Sequence, residues 1–333
     1  MLACQTIPPS GTLPCATPPP TIDPAAFRIV SLGDSFASGG GAPDDPLGFW
    51  EVCGTPGWDD ERCNRSLYAP TERAAARLRD NGHDVGHVSF ACSGAKIKDG
   101  LLVEYDGPIP PPGTHEMLCP QLQDLESLVN DPNVNVDAVT IMAGGNDMLF
   151  EYIVMACVAP WWGCDDIIDD AKIDALLVEL RIRLDLMKQK LQTLPIDSRR
   201  ILLVSYPNPA QDSDGSYCDH EPWFDALRGI SEEEATWAGE VVLPKINHEL
   251  CMAAKSNGWI YVDDIAPRFE GHGWCAGNER WVNTIGDSER KQHHHRGSIH
   301  PNQTGHDRIG ERLAEVIEPM IAGNLPSPPT LCP

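Results

Sequence analysis

Short apolar runs recur along this chain with longer amphipathic stretches between them, and that alternation leaves few folds open. Phe27–Leu32, Val85–Phe90, Ala138–Ala143, Ile201–Tyr206 and Trp259–Asp263 read as strands. Helices are read over Thr71–Asn81, Asp170–Leu194, Glu232–Asn257 and Asn302–Ile321, punctuated by Pro70, Gly82, Pro195, Gly258 and Pro301. Strands alternating with helices build an α/β fold around a mainly parallel sheet. In such sheets function gathers beyond the carboxyl ends of the strands. The 333 residues suffice for a full core without covalent staples. Pro- and Thr-rich residues 1–25 and Pro-rich residues 323–333 read as extended flanks of one domain over 26–322.

Charge narrows the function classes. Acidic residues number 49 against 25 basic ones, a formal net charge of −24. Nucleic-acid binding needs the opposite footprint and is disfavoured. The acidity serves solubility or, alternatively, adaptation to salt. Twelve cysteines without a CxxC pair point to disulfides rather than zinc, and so to an oxidising, extracytoplasmic setting. No apolar run reaches membrane-spanning length, and no signal peptide is read at the N-terminus. Leu2-Ala3-Cys4 is similar to the end of a bacterial lipoprotein signal, which would place a lipid on Cys4.

Four sites then fall where the strand rule expects chemistry. The first strand runs into Gly33-Asp34-Ser35-Phe36, a serine in a turn that opens a helix, where free N–H groups and a positive dipole end suit a nucleophile. The second ends in Ala91-Cys92-Ser93-Gly94, whose glycine N–H can approach a substrate oxygen. The third ends in Gly144-Gly145-Asn146-Asp147, with a side-chain amide donor at Asn146. His300 comes last, in a loop before Pro301 and a helix. Each alone is an ordinary turn. Together they supply a serine, a base and two kinds of oxyanion donor, which acyl transfer requires.

In their order, Gly-Asp-Ser, glycine, Gly-x-Asn-Asp and His-Pro, these blocks resemble the SGNH (GDSL-like) hydrolases over about residues 27–322. The stretches Gly33–Gly39, Cys63–Ser66, Ala91–Ala95 and Phe269–Cys275 are similar to the secreted actinobacterial-type esterases and lipases of that family. The resemblance implies a three-layer α/β/α, flavodoxin-like fold with about five mainly parallel strands. It implies Ser35 as nucleophile and His300 as base. The oxyanion hole would come from the Ser35 N–H, the Gly94 N–H and Asn146, with no cofactor and no metal. It further implies disulfides Cys63–Cys92, Cys157–Cys164 and Cys218–Cys275. Cys53–Cys119 is a guess for one more bridge, and Cys251 is read as a buried free thiol.

Many family members carry an aspartate three residues before the histidine, where this chain has Gly297. A backbone carbonyl, that of Gly297 or a neighbour, is expected to orient the His300 ring, with Asp287 or Glu289 as the acidic alternatives. Asp34 and Asp147 are read as holding turns, and His306 as structural. His293-His294-His295 reads as a solvated loop, with the active-site rim and a metal as rivals. Phe49-Trp50, Trp58 and Trp161-Trp162 serve local packing or form an apolar wall for an acyl chain. The expected partner is a small-molecule or lipid ester, with no nucleic acid and no obligate protein partner. A carbohydrate acetyl esterase and a non-catalytic binding module are the alternatives.

Overall fold

A computed structural model describes residues 27–45, 57–108, 117–150, 152–153, 169–219 and 230–333. Five strands form one sheet: β1 (Phe27–Gly33), β2 (Val85–Ser89), β3 (Ala138–Met142), β4 (Ile201–Val204) and β5 (Ile260–Val262). Their order is β2-β1-β3-β4-β5, and every pairing is parallel. The expected flavodoxin-like α/β arrangement is present. β3 is buried at every position, and β1 at all but its first, as strands covered on both faces must be.

The helices described are α1 (Ser35–Ser38), α2 (Pro70–Asp80), α3 (Gln121–Val129), α4 (Asp170–Leu191), α5 (Glu232–Trp237), α6 (Leu243–Asn257), α7 (Ile265–Arg268), α8 (Ile285–Gln292) and α9 (Gln303–Ile321). α2 and α9 pack together on one face. α4 packs on α6 across the other and is joined to α3 by the Lys190–Glu126 ion pair (2.7 Å). The chain leaves β1 toward β2 but leaves β3 toward β4, so the order reverses between β1 and β3. That reversal opens a crevice at the carboxyl ends of these two strands.

Three sequence readings change. The helix read over Glu232–Asn257 is interrupted by a wide, π-type turn over Ala238–Val242, where the Leu243 N–H reaches back to the Ala238 carbonyl. Pro244 has no N–H to donate one turn back, so the preceding turn widens. Secondly, α3 and α8 lie in stretches for which no helix is read. α3 buries only Leu122, Leu125 and Leu128 along with Gln121, and α8 is set by a Thr284–Asp287 capping box rather than by an apolar stripe. Thirdly, Cys251 is buried but not free. It is bonded to Cys332, which holds the Pro-rich end of the chain against α6. The bridges Cys63–Cys92 and Cys218–Cys275 are present. Cys157 and Cys164 lie outside the described residues, as do Cys4, Cys15 and Cys53, while Cys119 is unbridged.

Candidate active site

β1 ends at Gly33, and the chain turns within Asp34 to begin α1. Gly33 has φ +134°, and a Cβ there would sit 2.0 Å from the Met142 carbonyl oxygen, so glycine is needed for β1 and β3 to close. Asp34 Oδ1 caps α1 by accepting the Phe36 N–H at 2.9 Å. Its Oδ2 accepts from the Tyr206 hydroxyl at 2.5 Å, and that hydroxyl accepts the Gly145 N–H at 3.0 Å. One phenol from the end of β4 thus ties the serine turn to the loop bearing Asn146. Burial pushes the Asp34 carboxyl up to about 7. Asp147 accepts from the Ile97 N–H (3.0 Å) and pairs with Arg183 (2.9 Å), so both aspartates hold turns.

The second loop is braced at the two residues just before its glycine. Cys92 is bridged to Cys63, and the Ser93 Oγ lies 3.1 Å from the Ser38 Oγ at the end of α1. Gly94 follows with φ +80°, a backbone state that favours glycine, and a Cβ there would touch nothing within 4 Å. Asn146 gives one amide hydrogen to the Ala95 carbonyl (3.1 Å), which fixes the side chain and leaves its second N–H for another acceptor.

His300 is buried, with Nε2 2.6 Å from the Ser35 Oγ and Nδ1 2.9 Å from the Ser298 carbonyl oxygen. A carbonyl can only accept, so the ring carries its proton on Nδ1 and turns a bare Nε2 to the serine. The ring-orienting carbonyl is that of Ser298, not of Gly297. The Gly297 carbonyl instead accepts from the His300 backbone N–H (3.4 Å), which turns it away from the ring. Asp287 is engaged in the α8 cap and in ion pairs with Arg280 and Arg290. Among the described residues Glu289 makes no bond to the ring. Phe36 packs 4.9 Å from the imidazole and Phe150 meets it edge-on at 5.9 Å. Burial pushes the His300 imidazole down to about 4, with only the Ser298 carbonyl pulling the other way to any extent.

Two cavities meet at Ser35. One, of about 100 Å³, is lined almost wholly by apolar groups, among them Phe36, Met148, Phe150, Ile153, Trp274 and Val242. The other, of about 200 Å³, holds His300 and Gly94 and is the more polar of the two. Ser35 and Asn146 line both. The four sequence-predicted residues are therefore together at one sheet edge.

The chain matches the profile of the GDSL-like lipase/acylhydrolase family over residues 31–308. It belongs to that family. By this membership it is an ester hydrolase. Its fold is similar to that of an extracellular lipase from Streptomyces rimosus, at 22% identity and a TM-score of 0.59, with 87% of this chain and 98% of that one covered. A phospholipase A1 from Streptomyces albidoflavus NA297 aligns at 22% identity and a TM-score of 0.57, over 87% of this chain and 98% of that one. No curated protein matches in sequence.

As a GDSL-like acylhydrolase the chain draws its apolar wall from residues that sequence reasoning did not single out. Trp58 is half-buried away from both cavities, and Phe49-Trp50 and Trp161-Trp162 lie outside the described residues. The wall comes instead from Phe36, beside the serine itself, and from the interrupted α5–α6 segment. Pro244 was the available signal that this segment bends. Of the three histidines, His293 ends α8 in a left-handed turn and His295 reaches the rim of the polar cavity. His306 is buried, with Nε2 2.9 Å from the Gly40 carbonyl, pinning the exit from α1. Two further positioning groups carried no sequence signal, Tyr206 and Asn283. The buried Asn283 amide donates to the Gly41 carbonyl at 2.9 Å. Its backbone exchanges hydrogen bonds with Ile299 and His300, at 2.9 Å each. No helix of the described residues is long and apolar enough to span a membrane. The disulfides fit an oxidising compartment.

Proposed function

We propose that this acylhydrolase cleaves carboxylic esters through an acyl-enzyme on Ser35, with His300 as base and a backbone carbonyl in place of the usual carboxylate. The observation that carries the reading is the His300 ring held between the Ser35 hydroxyl at 2.6 Å and the Ser298 carbonyl at 2.9 Å. His300 Nε2 takes the serine proton as Oγ attacks the ester carbon. The oxyanion that forms is met by the Ser35 N–H, the Gly94 N–H and the free Asn146 N–H. The proton then passes to the leaving alcohol oxygen, and the acyl–oxygen bond breaks. Water, activated by the same imidazole, hydrolyses the acyl-enzyme. The Ser298 carbonyl fixes the tautomer but brings no full negative charge to the imidazolium. The acyl chain belongs in the apolar cavity, which favours acyl groups longer than acetyl and sets the carbohydrate acetyl esterase reading second.

Hydrolysis of p-nitrophenyl esters from acetate to palmitate tests this, with Ser35→Ala and His300→Ala alongside the wild type. The expected result is a medium- or longer-chain optimum, with both variants slower by on the order of 10⁴–10⁶-fold. Full activity in Ser35→Ala would overturn the nucleophile, and a strict acetate preference would restore the carbohydrate reading.

A further inference from the structure

The two cavities at Ser35 differ in which catalytic groups they hold, and that assigns the two halves of an ester. The apolar cavity holds Ser35 and Asn146 but not His300. The polar cavity holds Ser35, Asn146, Gly94 and His300. The leaving oxygen must come within hydrogen-bond reach of the imidazole that protonates it. On the acyl-enzyme reading above, the alcohol half therefore lies in the polar cavity.

Arg296 stands at the wall of that cavity. Its neighbours in sequence, Arg280 and Arg290, both pair with Asp287. The same pattern runs through the domain, from Arg65 with Asp60 to Arg312 with Asp263. Arg296 instead has a backbone carbonyl, that of Pro108, as its partner. In a chain with a net charge of −24, a guanidinium with no carboxylate partner among the described residues stands out. The Pro108 carbonyl holds the fork in place and leaves most of its five N–H donors for an acceptor. A second observation points the same way. Gln292 is 3% exposed, lines the same cavity, and its Nε2 has no acceptor among the described residues. Buried donors of this kind usually find one.

We infer that the polar cavity is a subsite for an oxyanion carried on the alcohol half of the substrate, a phosphate or a carboxylate. Arg296 is its charged contact and Gln292 a second donor. The general field of the molecule repels anions. A local cation beside the serine turns that repulsion into selection, because only an ester that delivers its charge to this point is held. The reaction is unchanged: the acyl–oxygen bond breaks, the leaving oxygen takes its proton from His300, and the anionic group stays on the released alcohol.

The test uses three esters with one acyl chain: butyryl glycerol 3-phosphate, butyryloxyacetate and monobutyrin. Wild-type kcat/KM is expected to favour one or both anionic esters over monobutyrin by tenfold or more, through KM. Their ranking tells phosphate from carboxylate. In Arg296→Gln that preference should vanish while monobutyrin turnover stays within about twofold, and Arg296→Lys should restore part of it. Glycerol 3-phosphate should compete with monobutyrin in the wild type and lose at least tenfold in affinity in Arg296→Gln. The inference is overturned if the wild type shows no preference, or if Arg296→Gln slows all three esters alike. Should no ester be cleaved, the fault lies with Ser35 as nucleophile. Calorimetry of glycerol 3-phosphate with wild type and Arg296→Gln then decides the subsite by itself.

Discussion

Ser35 and His300 meet at 2.6 Å, yet they are held by opposite kinds of structure. Ser35 stands one residue beyond the turn from a buried central strand, and its neighbours in space, Gly94 and Asn146, leave the two flanking strands. Parallel ladder bonds and the core fix the strands from which all three leave, and the Asp34–Tyr206–Gly145 bonds and the Cys63–Cys92 bridge brace the turns that follow. His300 stands on an irregular segment after α8. That segment is positioned by side chains bonded to backbone. The Asn283 amide reaches the Gly41 carbonyl, the Ser288 Oγ bridges the His294 carbonyl and the Gly297 N–H, and Lys291 secures Asn283 in turn. The contrast teaches where each half is vulnerable. The serine side should lose chemistry without losing its place. The histidine side should lose its place when one buried polar group is removed.

The largest effect should come from the sheet side. Asn146→Ala is expected to lower kcat by about 10²–10³-fold, roughly 2.7–4 kcal/mol, with KM nearly unchanged and stability lowered by only about 1 kcal/mol through the lost bond to the Ala95 carbonyl. Stopped assays and a urea melt check this together, and a large loss of stability would break the contrast. Next comes Asn283→Ala on the histidine side. Leaving the Gly41 carbonyl and the Lys291 ammonium without their partner should cost on the order of 1–3 kcal/mol of stability and slow turnover tenfold or more. A variant that is destabilised yet turns over normally would show that Asn283 does not position His300.

Tyr206→Phe sharpens the comparison from within the serine side. It removes the bridge between the Asp34 carboxylate and the Gly145 N–H and leaves both buried. The expected outcome is a fall in kcat of a few-fold to tenfold, with stability lowered by about 1–3 kcal/mol. The smallest effect is in pH. On the proposed mechanism His300 must be neutral to act as base, so activity should fall as pH drops through its pKa. Burial lowers that pKa to about 4. The acid limb of kcat/KM should therefore lie well below the ordinary 6.5, and full activity should persist at pH 6. Phe150→Ala, which admits water beside the ring, should move the limb upward. A wild-type limb at 6.5 or above would contradict the buried, carboxylate-free environment.

The same division decides what could be read from sequence. Ser35, Gly94 and Asn146 were legible because strand patterns end visibly at glycine-bearing turns, and the strand order puts those ends side by side. His300 was found by its place before Pro301. Its acceptor was not, since the choice between the Gly297 and Ser298 carbonyls depends on the local path of the chain and not on residue type. Tyr206 and Asn283 were hidden for a related reason, because their partners lie far along the chain and no spacing announces them. The bend at Pro244 and the Cys251–Cys332 bridge were open to reading. The apolar periodicity of the surrounding helix outweighed the first, and a partner in the Pro-rich tail concealed the second.

The central claim is that a serine–histidine pair without a carboxylate carries the chemistry. An active-site phosphonate ester followed by peptide mass spectrometry tests it most directly. The account predicts one equivalent of adduct, on the peptide containing Ser35, formed at least a thousandfold more slowly in His300→Ala. It also predicts little change in that rate when Asp287 or Glu289 is replaced by its amide. Adduct on another residue, or ester hydrolysis that continues after Ser35 is blocked, would contradict it.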